Sequence, residues 1–241
     1  MMSNITVLIP ICPMPSHPST EVLDETIDSI RQRLPDSEII LMFDGVNPTL
    51  MHLKAQYEEY TQNMLWKINQ MSNIVPIVFD EHQHQSLMLK KALEYVRTDL
   101  ILWSEQDTPL HNDIPFEELS KVVETGYANL IRFHHEASIH NEHRYLMLDD
   151  QPIDILGQPF IRTRQWSGRP HLASKKFYKN IIDKYWTDKP EFIEHRMYGV
   201  VVDGQYDEFR LHIYAPDGTL VRSKHTDGRR KGASHYDPNP S

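Results

Sequence analysis

The sequence predicts an α/β protein with a mostly parallel central sheet, helices on both faces and a smaller mixed region toward its C-terminal end. Three observations carry that expectation. The first 135 residues alternate short apolar runs with stretches of helical period, the pattern of βαβ units. Several of those runs stop abruptly at acidic or polar residues, as strands do when they end at a ligand crevice. Beyond His135 the rhythm changes to shorter, less regular segments.

Taken in order, Ile5 to Pro10 is the first strand, and the Pro-rich stretch Cys12 to Ser19 is a loop. Leu23, Ile27, Ile30 and Leu34 then share one face at a 3.6-residue period, which predicts a helix. Glu38 to Phe43 is the second strand, closed by Asp44 and Gly45. Asn47 and Pro48 read as the N-cap and first turn of a long helix reaching about Asn69. Ile74 to Phe79 is a strand, Leu87 to Arg97 a helix, and Leu100 to Trp103 a buried strand. Pro115 to Thr125 is a helix stopped by Gly126, and Leu130 to Phe133 a further strand. In the second half Arg144 to Leu148 and Phe160 to Gln165 read as strands, and Lys175 to Tyr185 and Pro190 to Val200 as helices. Phe209 to Tyr214 and Thr219 to Arg222 read as a hairpin joined by a Pro-Asp-Gly turn. The chain therefore divides into an α/β half, residues 1–135, a mixed region, 136–231, within the same compact domain, and a loose tail, 232–241.

Composition excludes several classes. At 241 residues, 39% hydrophobic and 24% charged, the chain can build a real core, and neither wholesale disorder nor an apolar run of membrane-spanning length fits it. Met1 to Asn4 carries no basic region, and Val7 to Ile11 is too short for a signal peptide core. A single cysteine, Cys12, rules out an intrachain disulfide and fits a reducing, cytoplasmic setting. A net charge of -9 does not advertise nucleic-acid binding, although Arg222, Lys224, Arg229, Arg230 and Lys231 make the C-terminal stretch locally basic.

Parallel strands joined by right-handed crossovers send their carboxyl ends to one edge of the sheet. Pro10, Asp44, the loop Asp80 to Ser86 and the pair Glu105 and Asp107 should meet there. Two carboxylates one residue apart suit a hard divalent cation, Mg²⁺ or Mn²⁺, which takes oxygen ligands and leaves positions for substrate phosphates. The same spacing also occurs in solvated acidic loops. His134, His135, His140 and His143 match no zinc signature such as H-E-x-x-H and read as a loop lining the crevice or as surface. Trp166 reads either as a stacking platform for a ligand ring, with Arg162, Arg164 and Arg169 near it to meet an anion, or as a buried aromatic.

The stretches ITVLIPI, LDETIDSIRQ, SEIILMFDG and LILWSEQDTPL resemble the glycosyltransferases of GT-A fold, and among them the family 2 group, over about the first 115 residues. The resemblance implies a Rossmann-like nucleotide-diphospho-sugar transferase fold, a nucleoside diphosphate sugar as donor and Mn²⁺ or Mg²⁺ as cofactor. It implies that Asp44 contacts the nucleotide base and that Glu105, Gln106 and Asp107 stand where the family carries its D-x-D element. Here the first position is glutamate, so Asp107 is the foremost expected ligand and Glu105 the second. It further implies that His225 returns to the metal, that Arg229 and Arg230 meet diphosphate oxygens, and that Pro10 lines the donor site. Glu194 or Glu191, with Glu194 favoured, would be the base that deprotonates an acceptor hydroxyl. A direct base would give inversion at the anomeric carbon. The usual Asn and Gly residues after the third strand are replaced by Glu81, His82, Gln83 and His84. The acceptor stays open among glycan, lipid, protein and modified nucleic acid. A metal-dependent hydrolase and a sugar-binding relative without turnover are the competing readings.

Overall fold

The computed structural model describes residues 4–226. Nine strands form one sheet in the order β3-β2-β1-β4-β8-β5-β9-β7-β6. Strands β1 (Ile5–Ile11), β2 (Glu38–Phe43), β3 (Ile74–Val78) and β4 (Leu100–Trp103) are the expected parallel half. Chain order runs outward from β1 through β2 to β3, then crosses back to β4 on the other side of β1. The switch point where a crevice opens is therefore between β1 and β4.

Alternation along the strands sorts the core into two layers. Val7, Ile9, Ile11, Leu100 and Leu102 face α1 (Glu21–Arg31), α2 (Lys54–Ile68) and α4 (Phe116–Glu124), meeting Leu23, Ile27, Ile30, Tyr60, Met64 and Leu119. Leu8, Ile101 and Trp103 face the other way, toward α3 (His84–Ala92), α5 (Lys175–Tyr185) and α6 (Ile193–Asp203). The sheet is thus covered on both faces, as parallel strands require. Asn47 caps as expected, its Oδ1 accepting from the Thr49 N–H at 2.9 Å, but the first turn, Pro48–Leu53, is 3₁₀ and kinks at Leu50 before α2 begins.

The second half departs from the sequence reading in several places, including a strand, β6 (Ile153–Ile155), and a short helix, α7 (Tyr206–Phe209), that the pattern did not announce. A short strand that the pattern did not announce, β8 (His171–Ser174), inserts antiparallel between β4 and β5 (Leu130–Arg132). Arg144 to Leu148 is not a strand: Asn141–Leu146 is a 3₁₀ turn laid along β7 (Gln158–Thr163), and Met147 alone bridges to Thr163. The expected C-terminal hairpin does not form. β9 (Leu211–Tyr214) pairs parallel with β5 and antiparallel with β7, whose other neighbour is β6 (Ile153–Ile155). With both edges of β9 taken, the chain after the Pro-Asp-Gly turn pairs elsewhere: Val221 bridges to His134 and Ser223 to Leu110. The sheet is accordingly mixed, parallel from β3 to β4 and between β5 and β9, and antiparallel at β8, β7 and β6. A short helix, α7 (Tyr206–Phe209), precedes β9.

β4 sits at the centre of this arrangement, with Leu102 fully buried between β1 and β8. Leu102→Ala is expected to cost about 2–5 kcal/mol, the range for leucine truncation in a packed core, read as a lowered urea midpoint with unchanged slope.

Candidate active site

The site grows from the end of β4. Ser104 is still held in the sheet, its N–H donating to the Leu8 carbonyl at 3.1 Å. The chain then turns tightly: the Thr108 N–H and Oγ1 both donate to the Glu105 carbonyl, at 3.2 and 3.0 Å. Thr26 Oγ1 on α1 donates to the Gln106 carbonyl at 2.9 Å, fixing the turn against the sheet. The Glu105 and Asp107 side chains project together, whereas Gln106 turns inward. Its Nε2 donates to the Cys12 carbonyl at 3.1 Å, and so ties the loop after β1 to the loop after β4 across the switch point.

His225 comes back to this turn. The segment after Val221 runs antiparallel to residues 107–111, with the His111 N–H donating to the Arg222 carbonyl at 2.9 Å, Lys224 N–H to Pro109 at 2.9 Å and Thr226 N–H to Asp107 at 2.9 Å. His225 Nε2 thereby lies 3.2 Å from Asp107 Oδ2. One ligand atom from each of Glu105, Asp107 and His225 lies within 4.8 Å of the others. Two carboxylates and an imidazole at that spacing are a donor set that Mn²⁺ accepts. Burial, with the Asp107 charge beside it, pushes the Glu105 carboxyl up to about 7, and Gln85 Nε2 donates to its Oε1 at 2.7 Å.

Glu194, in the first turn of α6, faces the same turn from the opposite side. Its Oε2 accepts from the Gly168 N–H at 2.8 Å. A Cβ at Gly168 would stand 3.1 Å from Glu105 Oε1 and 3.5 Å from Glu194 Oε2, so the bare backbone there is what lets the two carboxylates approach. Glu191 is turned away: its N–H donates to Ser86 Oγ at 2.9 Å and its carboxylate is 3.8 Å from Arg196 Nε.

Asp44 does not present its carboxylate to the crevice. Its side chain is 2% exposed and 2.8 Å from His82 Nδ1, and it accepts from the Gln83 and His84 N–H groups at 2.6 and 3.1 Å. It builds the loop after β3 rather than the surface of the site. Gly45 completes that job, since a Cβ there would stand 2.2 Å from the Glu81 carbonyl carbon. The loop carries His84, whose ring lies 5.7 Å from Phe192, itself 5.1 Å from His195. Burial, with His82 and His195 beside it, pulls the His84 imidazole down to about 4.

Pro10 is buried within β1, opposite Met42. Trp166 is a core residue, 2% exposed and packed against His171, Phe177 and Tyr178, so the stacking-platform expectation gives way to the buried one. Arg162 pairs with Asp149 at 2.7 Å rather than facing the carboxylates. Arg229 and Arg230 lie outside the described residues. Arg132 was not legible as a site residue from sequence. It is fully buried on β5, where Nη1 donates to Gln165 Oε1 at 3.1 Å and Nε and Nη2 have no partner among the described residues. Burial, with Arg169 beside it, pulls its guanidinium down to about 9, against the opposing fields of Glu194 and Glu136. Nothing in an L-I-R strand end marks such an arginine; only the register with His171 places it.

No family model and no curated protein matches the sequence. Solved structures match it in shape. S. aureus TarS 1-349 superimposes with a TM-score of 0.57 at 10% identity, over 92% of this chain. The complex of S. aureus TarS 1-349 with UDP-GlcNAc gives 0.58 at 9% identity over 92% of this chain, and GalNAc-T7 with UDP, GalNAc and Mn²⁺ gives 0.55 at 10% over 88%. The fold is that of the GT-A glycosyltransferases. This chain spans 60%, 58% and 42% of the length of those three structures. Within a GT-A frame, the crevice between β1 and β4 is the sheet edge at which Glu105, Asp107, His225 and Glu194 have been found to meet. Among the described residues, no helix is long and apolar enough to cross a membrane.

The raised Glu105 carboxyl has a consequence for stability. A carboxyl lifted from 4.5 to about 7 on folding contributes stability that is fully present below 4.5 and is lost as pH rises through about 7. Glu105→Gln in EDTA should therefore be more stable than wild type at pH 8, by on the order of 1–3 kcal/mol, with the gap closing toward pH 5. Urea unfolding at the two pH values measures it.

Proposed function

We propose that the protein is a metal-dependent glycosyltransferase that moves a sugar from a nucleoside diphosphate donor to a hydroxyl acceptor with inversion at the anomeric carbon. One observation carries the reading: a potential metal-ligating triad, Glu105, Asp107 and His225, lies within 4.8 Å at the switch point of a GT-A sheet, with a separate carboxylate, Glu194, facing it across Gly168. Mg²⁺ or Mn²⁺ bound there would neutralise the charge that develops on the departing nucleoside diphosphate.

Asp107 and His225 would hold the cation, and Glu105 would supply a further oxygen once ionised. Arg229 and Arg230, which follow His225 in sequence, meet the diphosphate oxygens. Pro10 and the Gln106 bond to Cys12 fix the floor of the donor site, and Asp44 acts on the base through the loop 82–84 that it holds. Glu194 takes the proton from the acceptor hydroxyl; its Oε2 is oriented by the Gly168 N–H while the other oxygen is left for the substrate. Glu191 serves the loop contact with Ser86 instead. The acceptor's carrier is not specified by these residues. GalNAc-T7 and TarS have been crystallised with UDP, or UDP-GlcNAc, which makes UDP-sugars the first donors to try.

Two variants separate donor binding from transfer. Asp107→Ala should abolish Mn²⁺-dependent binding of UDP-sugars in calorimetry; binding that survives with its metal dependence intact overturns the site. Glu194→Gln should bind donor as wild type does and lose transfer by about 10²–10⁴-fold, the usual contribution of a positioned base. Nucleotide release from a panel of UDP- and GDP-sugars, with and without candidate acceptors, reads both. Release that never responds to any acceptor favours a hydrolase, and donor binding without metal dependence or consumption favours a binding protein.

A further inference from the structure

His225 reaches Asp107 on a strand that is itself pinned at its far side to the loop after β5. Arg222 and Ser223 N–H groups both donate to the His134 carbonyl, at 2.8 and 3.1 Å. The Ser223 hydroxyl is completely buried, within 3.1 Å of the Phe133 carbonyl and 2.7 Å of His135 Nδ1. The His135 ring, fixed by that bond, lies against His225 with the two planes 14° apart and the centroids 5.8 Å apart. His134 is occupied differently, its Nδ1 2.8 Å from Arg169 Nη1 and its Nε2 3.2 Å from Glu136. Of the histidines that the sequence crowds between residues 134 and 143, His135 is the one whose ring is stacked on His225.

We infer that His135 is a positioning residue for a metal-binding His225: its ring, anchored through Nδ1 to Ser223, forms the wall that sets the plane of the His225 imidazole and aims Nε2 at the cation shared with Asp107. The inference rests on the metal-site reading above. A ligand histidine on a terminal segment has two free side-chain torsions, and the entropy of fixing them is charged against metal affinity unless a neighbour has already restricted them. The His225 side chain is 32% exposed. The near-parallel His135 ring on one side and Asp107 on the other restrict how its ring can turn. His135 makes no metal bond in this scheme.

The test uses Mn²⁺ alone as probe, with the full chain and no nucleotide, by X-band EPR of free against bound ion. His135→Ala should weaken Mn²⁺ binding about tenfold or more, the loss typical when an outer partner of a metal ligand is removed. His135→Phe, which restores an aromatic face without Nδ1, should recover most of that loss. His135→Gln, which can reach Ser223 but has no ring, should behave as the alanine variant and is read in its place if alanine does not fold. Thermal midpoints report structural damage separately, and a purely structural role predicts lowered midpoints with Mn²⁺ affinity unchanged in the folded protein. Wild-type affinity in both His135→Ala and His135→Gln overturns the inference while leaving the metal site standing. No Mn²⁺ binding by wild type overturns the metal-site reading, and this inference with it.

Discussion

Two carboxylates brought together at the dry end of a central strand are the constraint on which the rest of this structure turns. Glu105 and Asp107 are both withdrawn from bulk solvent, and burial first, then the neighbouring Asp107 charge, disfavours ionisation of Glu105. The Glu105 carboxyl is raised to about 7 as a result. A fold maintains such a pair only if the surrounding structure over-determines it. Here it does so from four directions: Thr26 from α1, Thr108 within the turn, Gln85 from α3 and the C-terminal segment through Thr226.

The departures from a simple doubly wound sheet all serve that turn. Insertion of β8 antiparallel beside β4 carries Gly168 and Arg169 up to the carboxyl end of the sheet, because a strand that runs downward must begin there. Gly168 then joins Glu194 to the site by a main-chain bond that leaves one carboxylate oxygen uncommitted. Filling both edges of β9 denies a hairpin partner to the residues after the Pro-Asp-Gly turn, and they continue to His134 and Leu110 instead. That redirected strand is what delivers His225. The same packing leaves Arg132 buried with two nitrogens that have no partner among the described residues, a cost of a few kcal/mol that its neighbourhood of Glu194 and Glu136 offsets only by field.

What could be read from the sequence follows from how local each signal is. β1, β2 and β4 are almost entirely apolar runs buried on both faces, and their ends near Asp44 and Glu105 were visible as changes of residue type. β8 was not, because His171–Ser174 is four residues long and follows Pro170 in what reads as loop. The hairpin expected over Phe209 to Arg222 had the right turn chemistry, yet pairing is decided by which edges are free, and that is a property of the whole sheet. α6 begins at Ile193 rather than Pro190 because Glu191 is committed to Ser86 through its main chain. At the site, residue type and spacing pointed to the acidic pair, and the family resemblance pointed to His225. They could not show that Asp44 faces the loop after β3, that Glu194 and Glu105 share Gly168, or that His135 lies on His225. Each of those contacts joins residues far apart in the chain, with no periodicity to announce them.

The central claim is that Asp107 and His225 share one divalent cation. It is tested most directly by anomalous diffraction from crystals grown with MnCl₂ and UDP, collected on both sides of the manganese absorption edge. The account predicts a single strong manganese peak about 2.0–2.3 Å from an Asp107 carboxylate oxygen and from His225 Nε2, with diphosphate density beside it. Diphosphate density in the crevice with no manganese peak between these two side chains would contradict it.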